Sequence, residues 1–476
     1  MESLIKRLSQ LEKISQQLEI SESEKTVILK KAGDYTNQFL AKLEQAKSFK
    51  EETNYSTLLA IENKKKSFDE LIQLYQKEVV EKGIMAASGG HLGYIPGGGI
   101  FMSAIADFIA AVTNPYVGSF YASPGAAAIE NEILVWLKII FSFPKDAVGN
   151  LASGGSISTL IALTAARDKH AIKNENITRS VIYLSEQVHH STQKALRIIG
   201  LEDVIIRYVP LDEHHKIKTT ELEKLIAKDK HDGLNPFLVV ASAGTTDTGA
   251  VDPLNEIAEV TTKYKLWFHV DAAYGGFFIL TSKKELFKGI EKADSLIVDP
   301  HKGMFIPYGL GAVLIKDKQA VLHSNQYFAN YMQDAQSDEV TYSPANVSPE
   351  LSKHFRGLRL WLPLQIHGIE PFIACLEEKL LLTTYFREKL IEIGFNVGPT
   401  PDLSVSYFWY PFKQQADEKN KQLMKAIHDD GTIFLSSSII NKQFVIRIAI
   451  LSFRTKRSNI DSALNMIINC LKEIKK

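Results

Sequence analysis

Two short segments hold the residues best suited to covalent chemistry: HVDAAYGG at 269–276 and ADSLIVDPHKGM at 293–304. In each, an apolar run ends in a reactive group, Asp271 in the first and His301-Lys302 in the second. A carboxylate at the carboxyl end of a strand faces the crevice where open α/β sheets bind ligands. Buried there it needs a cationic partner, and a protonated ring nitrogen is one. A lysine at such a strand end is desolvated, which frees its amine to attack a carbonyl carbon and form an imine. Taken singly, Asp271 equally suits a helix cap or an ion pair, and most lysines are solvated surface groups. What lifts Lys302 above that background is the company of Asp271 at a second strand end.

Three further pieces join them. In NLASGGSISTLIALTAARDK (150–169), Gly154 and Gly155 lead through Ser156 into a helical stretch. The free N–H groups and positive end of such a helix hold phosphate, although many structural helices also open on Gly-Ser. SAGTTDTGAVDP puts Thr245 and Thr246 just after the run 237–241, and SEQVHHS puts His189 and His190 just after 181–184. A histidine there serves equally as a structural hydrogen-bonder. Five such ends in one chain point to a shared crevice.

Bringing them together requires a sheet. Short apolar runs at 181–184, 204–209, 237–241, 266–270, 295–298 and 312–315 alternate with helix-like stretches such as TELEKLIAKDK and PLNEIAEVTTKY. Strands this short and apolar, spaced by helices, predict a mainly parallel sheet covered on both faces, an α/β domain. Ahead of it, residues 1–84 read as amphipathic helices. Leu4, Leu8, Leu11, Ile14 and Leu18 recur at helical spacing, as do Leu71, Leu74, Tyr75 and Val79, and such stripes suit docking on a second subunit. The large α/β domain is expected over 85–365, interrupted by a polar, aperiodic, mobile loop at about 324–350 of the kind that forms lids. A small α+β domain is expected over 366–476.

Composition narrows the class. The chain has 476 residues, 45% hydrophobic, with 55 basic residues balancing 55 acidic ones. No basic footprint marks a nucleic-acid partner. Cys375 and Cys470 are far apart, which excludes a disulfide framework or a cysteine zinc site and fits a reducing compartment. With neither a signal peptide nor a membrane span in the pattern, the expected location is cytoplasmic, with no membrane partner.

In order, the Ser-Gly-Gly-Ser, Glu-Gln-Val-His, Gly-Thr-Thr, His-Val-Asp-Ala-Ala-Tyr and Pro-His-Lys segments resemble the group II pyridoxal-phosphate-dependent decarboxylases, which act on aromatic amino acids, tyrosine, histidine or glutamate. The resemblance covers roughly residues 85–455. It implies a fold-type I architecture, pyridoxal 5'-phosphate as cofactor, no metal, and a homodimer with sites at the subunit interface. It further implies that Lys302 carries the cofactor as a Schiff base and Asp271 pairs with its ring nitrogen. His189 and Ala273 would pack on the two ring faces. Gly155 and Ser156 would bind the phosphate, Thr246 would lie beside the ring, and His301 would complete the cofactor site. Tyr342, with Tyr331 as its rival, would be the loop residue that protonates the product carbon, and Arg447 matches an arginine near the site.

Three departures stand out. Asp299 replaces the family's usual Asn before Pro-His-Lys, where it repels a phosphate unless protonated or compensated. Ile157, Ser158 and Thr159 replace the usual residues after Ser156. The segment from His91 to Pro96 is shorter than the common aromatic-rich version. Tyr94, Phe101 and Tyr121 lie in segments that line the pocket in relatives, with no arginine among them to bind a side-chain carboxylate. The expected reaction is therefore decarboxylation of an L-amino acid, an aromatic one, to the amine and carbon dioxide. The alternatives are an aromatic aldehyde synthase, a related carbon–carbon lyase, or a catalytically silent homologue.

Overall fold

A computed structural model describes residues 1–52, 54–326 and 343–475. The N-terminal segment forms α1 (Glu2–Ser15), α2 (Glu22–Lys42) and α3 (Phe68–Tyr75), with a two-residue ladder of β1 (Phe49–Lys50) against β2 (Gly83–Ile84). Both α2 and α3 begin with a capping box: the hydroxyls of Ser21 and Ser67 accept from the N–H groups of Glu24 and Glu70, whose carboxylates bond back. No residue of α1 is buried, and Leu4, Leu8, Leu11 and Ile14 all lie on its surface.

Two helices follow, α4 (Phe101–Thr113) and α5 (Pro124–Ile140), and then the sheet that carries the site. Its strands are β3 (Val148–Ala152), β4 (Ser180–Leu184), β5 (Ile205–Tyr208), β6 (Asn235–Ser242), β7 (Trp267–Asp271), β8 (Ser295–Val298) and β9 (Gly311–Ile315). They lie in the order β3-β9-β8-β7-β6-β4-β5. Only β9 runs against the rest, pairing antiparallel with β3 and β8. Six of the seven coincide with the apolar runs. The seventh, β3, reads VGNLA, and its Gly and Asn break the apolar signal.

Alternation along the strands builds two cores. Val239, Ala241, Phe268 and Val270 enter one; Leu238, Val240 and Trp267 enter the other. Each buried side chain of this size stabilises the fold by about 1.5–3 kcal/mol. Helices α5, α8 (Thr219–His231) and α9 (Leu254–Tyr264) supply the first face. Helices α6 (Gly155–Lys169), α7 (Ser191–Ile198) and α11 (Lys318–Asn325) supply the second. The single-turn α10 (Pro300–Gly303) follows β8.

Of the stretch expected as a loop from about 324, Ser324 and Asn325 instead finish α11. At its other end Pro344–Val347 form a turn with Val347 buried. Tyr331 and Tyr342 lie outside the described residues. Beyond it come α12 (Leu358–His367) and α13 (Glu370–Glu392), and then a four-stranded antiparallel sheet. Its strands are β10 (Asn396–Val397), β11 (Val405–Trp409), β12 (Ser436–Ile440) and β13 (Gln443–Ala449), in the order β10-β11-β13-β12. With α13, α14 (Ala416–Asp430) and α15 (Arg457–Ile474) it encloses a third core. Among the described residues, no helix is long and apolar enough to cross a membrane.

Candidate active site

The carboxyl ends of β3, β4, β6, β7 and β8 surround a cavity of about 260 Å³. Gly155, Ser156, His189, Thr246, Asp271, Ala273, His301 and Lys302 all line it. Thr245 lines it too, and His190 does not.

Lys302 is delivered by α10. Asp299 follows β8 in extended geometry as the N-cap of α10, and Pro300 at the first helical position presets the turn. The Lys302 Nζ lies 3.0 Å from Asp299 Oδ2, and the carboxylate side chain is only 2% exposed. The charge of this buried carboxylate is thus compensated by Lys302. His301 turns its Nδ1 to the Leu310 carbonyl at 2.7 Å, so that nitrogen carries the proton. Its Nε2 is left facing Asp299 Oδ2 at 3.7 Å.

Asp271 accepts from the Ala273 N–H at 3.0 Å. Burial pushes its carboxyl above the usual range, and Lys302 only partly offsets this. A cation placed against Asp271 would reverse that shift. His189 takes the Ser191 N–H at Nδ1 over 3.2 Å, which fixes the neutral ring's proton on Nε2. Burial, then neighbouring His190 and Lys302, lower its pKa to about 4, so the ring is neutral at pH 7.

The lining presents three complementary demands. The first N–H groups of α6, on Gly155 and Ser156, have no hydrogen-bond partner among the described residues and are suited to an anion. Asp271 calls for a cation, and Lys302 offers an amine. A single small molecule carrying a phosphate, a basic ring nitrogen and a carbonyl carbon meets all three, so the residues fit pyridoxal 5'-phosphate. Buried Gln187 Oε1 and Asp299 Oδ1 also lack partners among the described residues.

Arg447 enters from β13. Its guanidinium donates to the carbonyls of Tyr94, Thr246 and Asp247 and to Ser436 Oγ, and the residue is 2% exposed. Tyr94, Phe101 and Tyr121, expected to shape the pocket, do not line this cavity and are 59%, 48% and 67% exposed. Tyr94 is tied to it only through Arg447 and Thr246. Sequence reasoning also passed over Ser153, Gln187, Ser191, Ser242 and Tyr274. All five fall within the motifs already singled out, Ser153 in NLASGGS and Ser242 as the first residue of SAGTTDTGAVDP.

The pyridoxal-dependent decarboxylase conserved domain matches residues 54–406. An aromatic-L-amino-acid decarboxylase of Bacillus atrophaeus is 34% identical over 374 residues, 76% of this chain and 77% of that protein. The acidic amino acid decarboxylase GADL1 of Xenopus tropicalis is 31% identical over 362 residues, 74% of this chain and 70% of that protein. Among solved structures, that of Oryza sativa TDC with PLP and tryptamine superposes with a TM-score of 0.90 at 21% identity. It covers 96% of this chain and 99% of the other.

Proposed function

Because the chain belongs to the pyridoxal-dependent decarboxylase family, we propose that it releases carbon dioxide from an aromatic L-amino acid, with Lys302 holding the cofactor covalently. It is a pyridoxal-phosphate-dependent carboxy-lyase; the substrate and the assignment of roles are the proposal. The observation that carries it is the opening of Lys302 and Asp271 onto one cavity. When bound, pyridoxal phosphate supplies an electron sink for the pair left behind by the departing carboxylate. Gly155 and Ser156 hold the phosphate with the free amides of α6. Asp271 keeps the ring nitrogen protonated, and burial strengthens that ion pair. His189, uncharged, and Ala273 would flank the cofactor ring. Thr246 and His301 would complete the cofactor site.

The aromatic preference rests on the name of the Bacillus relative and on a lining without arginine among the described residues. A homodimer is part of the same reading. Tyr94, Phe101 and Tyr121 are exposed, and the apolar stripe of α1 is uncovered, as expected of surfaces a second copy would close. Tyr342 is proposed as the proton donor to the product carbon. The test is to supply purified protein with single L-amino acids and follow amine and carbon dioxide. Turnover of aromatic substrates supports the proposal; aldehyde with peroxide favours the aldehyde synthase, and no turnover across a full panel defeats it. Lys302→Ala should fold, yet lack the visible absorption of the covalently held cofactor.

A further inference from the structure

Asp299 is a buried carboxylate that the reaction scheme leaves unused. Its Oδ2 is paired with the Lys302 ammonium at 3.0 Å, while Oδ1 is buried without a partner among the described residues. The carboxylate is wedged between α6 and β9. A methyl carbon on Gly155 would lie 3.0 Å from Oδ2, and one on Gly311 would lie 2.6 Å from Oδ1. The N–H of that same Gly155 is one of the two unbonded amides proposed to hold the phosphate.

Loading, on the reading given above, works against this ion pair. The Lys302 nitrogen bonds to the aldehyde carbon, the aldehyde oxygen leaves with two hydrogens as water, and the nitrogen keeps one hydrogen where it had three. No proton is gained or lost in that exchange, but Asp299 loses its compact three-donor partner. At the same time a phosphate dianion settles on Gly155 and Ser156. Two buried anions then face each other, an arrangement that drives one of them to take a proton.

We propose that Asp299 couples cofactor loading to the uptake of one proton, held by the Asp299–His301 pair against the phosphate. His301 is the natural co-holder. Its Nδ1 is committed to Leu310, and its free Nε2 faces Asp299. The other charged or titratable groups that feel Asp299 are Lys302 on the same turn, Asp271 from β7 and His189 from the loop leading to α7. The segments of α6 and β9 against the carboxylate contribute glycines, with no charge to neutralise it. An Asn at 299 has no need of the proton.

The experiment is calorimetric titration of the cofactor-free protein with pyridoxal phosphate in two buffers of different ionisation enthalpy, on the native chain and on Asp299→Asn. The native chain should take up about one proton per site more than the variant, and its cofactor Kd should rise up to tenfold more steeply per pH unit. Should the variant fail to fold, the ³¹P resonance of cofactor on the native protein decides. It should stay at the dianion position across the pH range in which the protein is folded. Equal proton uptake by the two proteins, or a phosphate resonance that titrates, would overturn the proposal while leaving the cofactor reading intact. Failure of the native chain to bind pyridoxal phosphate would instead defeat that reading.

Discussion

Arg447 donates through Nη1 to the backbone carbonyl of Tyr94 at 2.7 Å, and through Nη2 to that of Thr246. One planar guanidinium thereby joins the segment before α4, the turn after β6 and the small C-terminal sheet at the edge of the cavity. Lysine is a point donor and cannot serve four acceptors arranged around a plane. Arg447→Lys should fold but bind cofactor more weakly. Arg447→Met, which strands several buried acceptors, should lose roughly 2–4 kcal/mol of stability. Thermal melts and cofactor titration check both, and a Met variant as stable as the native chain would show the tether to be dispensable.

Asp271→Asn tests the charge while keeping the shape, since its side-chain oxygen still accepts from Ala273. Activity should fall about 10²–10³-fold, the order of losing one preorganised electrostatic partner. Stability gives an independent reading. Burial raises the folded-state pKa of Asp271 above the unfolded value. The unfolded carboxyl therefore ionises first as pH rises, and native stability declines as pH passes from the unfolded toward the folded pKa. The cofactor-free Asn variant should accordingly gain on the native chain from acid to neutral pH, and added cofactor should cancel that gain. Paired melts at acid and neutral pH suffice.

His269 predicts the opposite dependence. Trp267 Nε1–H donates to Ser295 Oγ at 2.8 Å, and that hydroxyl is also hydrogen-bonded to His269 Nδ1 at 2.8 Å. The imidazole is fully buried, and this holds its pKa at about 4 against an ordinary 6.5. Unfolding therefore takes up a proton between those values. The stability is complete above 6.5 and lost as pH falls toward 4. His269→Gln keeps an acceptor for Ser295 without the titration, so its acid-unfolding midpoint should move to lower pH than the native one. Circular dichroism against pH reads this directly, and an unmoved midpoint would assign acid lability to other groups such as His189.

What could be read beforehand follows from the range of each signal. Asp271 and Lys302 announce themselves because each ends an apolar run, and strand ends are local features. The sheet was legible for the same reason in six strands, and β3 was hidden by Gly149 and Asn150. The reversed direction of β9 has no local mark, because it depends on which neighbours the strand meets. Arg447's acceptors come from segments far apart in the chain, so the pattern FVIRIAI conveys only a strand with an arginine in it. Tyr94, Phe101 and Tyr121 have pocket-like chemistry in sequence, but their exposure is decided by packing. Asp299 was visible as a departure; its pairing with Lys302 required the three-residue geometry of α10.

The glycines of YIPGGG yield the sharpest steric prediction. A methyl carbon on Gly98 would lie 1.8 Å from the carbonyl oxygen of Phe305, a backbone atom unable to swing aside. That oxygen already accepts the N–H groups of Gly99 at 2.7 Å and Ile100 at 3.1 Å. Phe305 itself sits at φ +57°, an uncommon conformation for a bulky residue, and its N–H bonds to the Lys302 carbonyl at 3.2 Å. The strap of residues 97–100 thus braces the turn that carries Lys302. Gly98→Ala must push on that turn and should cost about 3 kcal/mol or more, with weaker cofactor binding alongside the lower melting temperature. Gly33 in α2 is the control. Nothing lies within 4 Å of a methyl carbon there, and alanine in a helix interior should add about 0.5–1 kcal/mol. Melting curves and cofactor titration of the two variants must diverge in sign; a Gly98→Ala protein that melts with the native chain and binds cofactor as tightly would remove the strap from the account of how Lys302 is held.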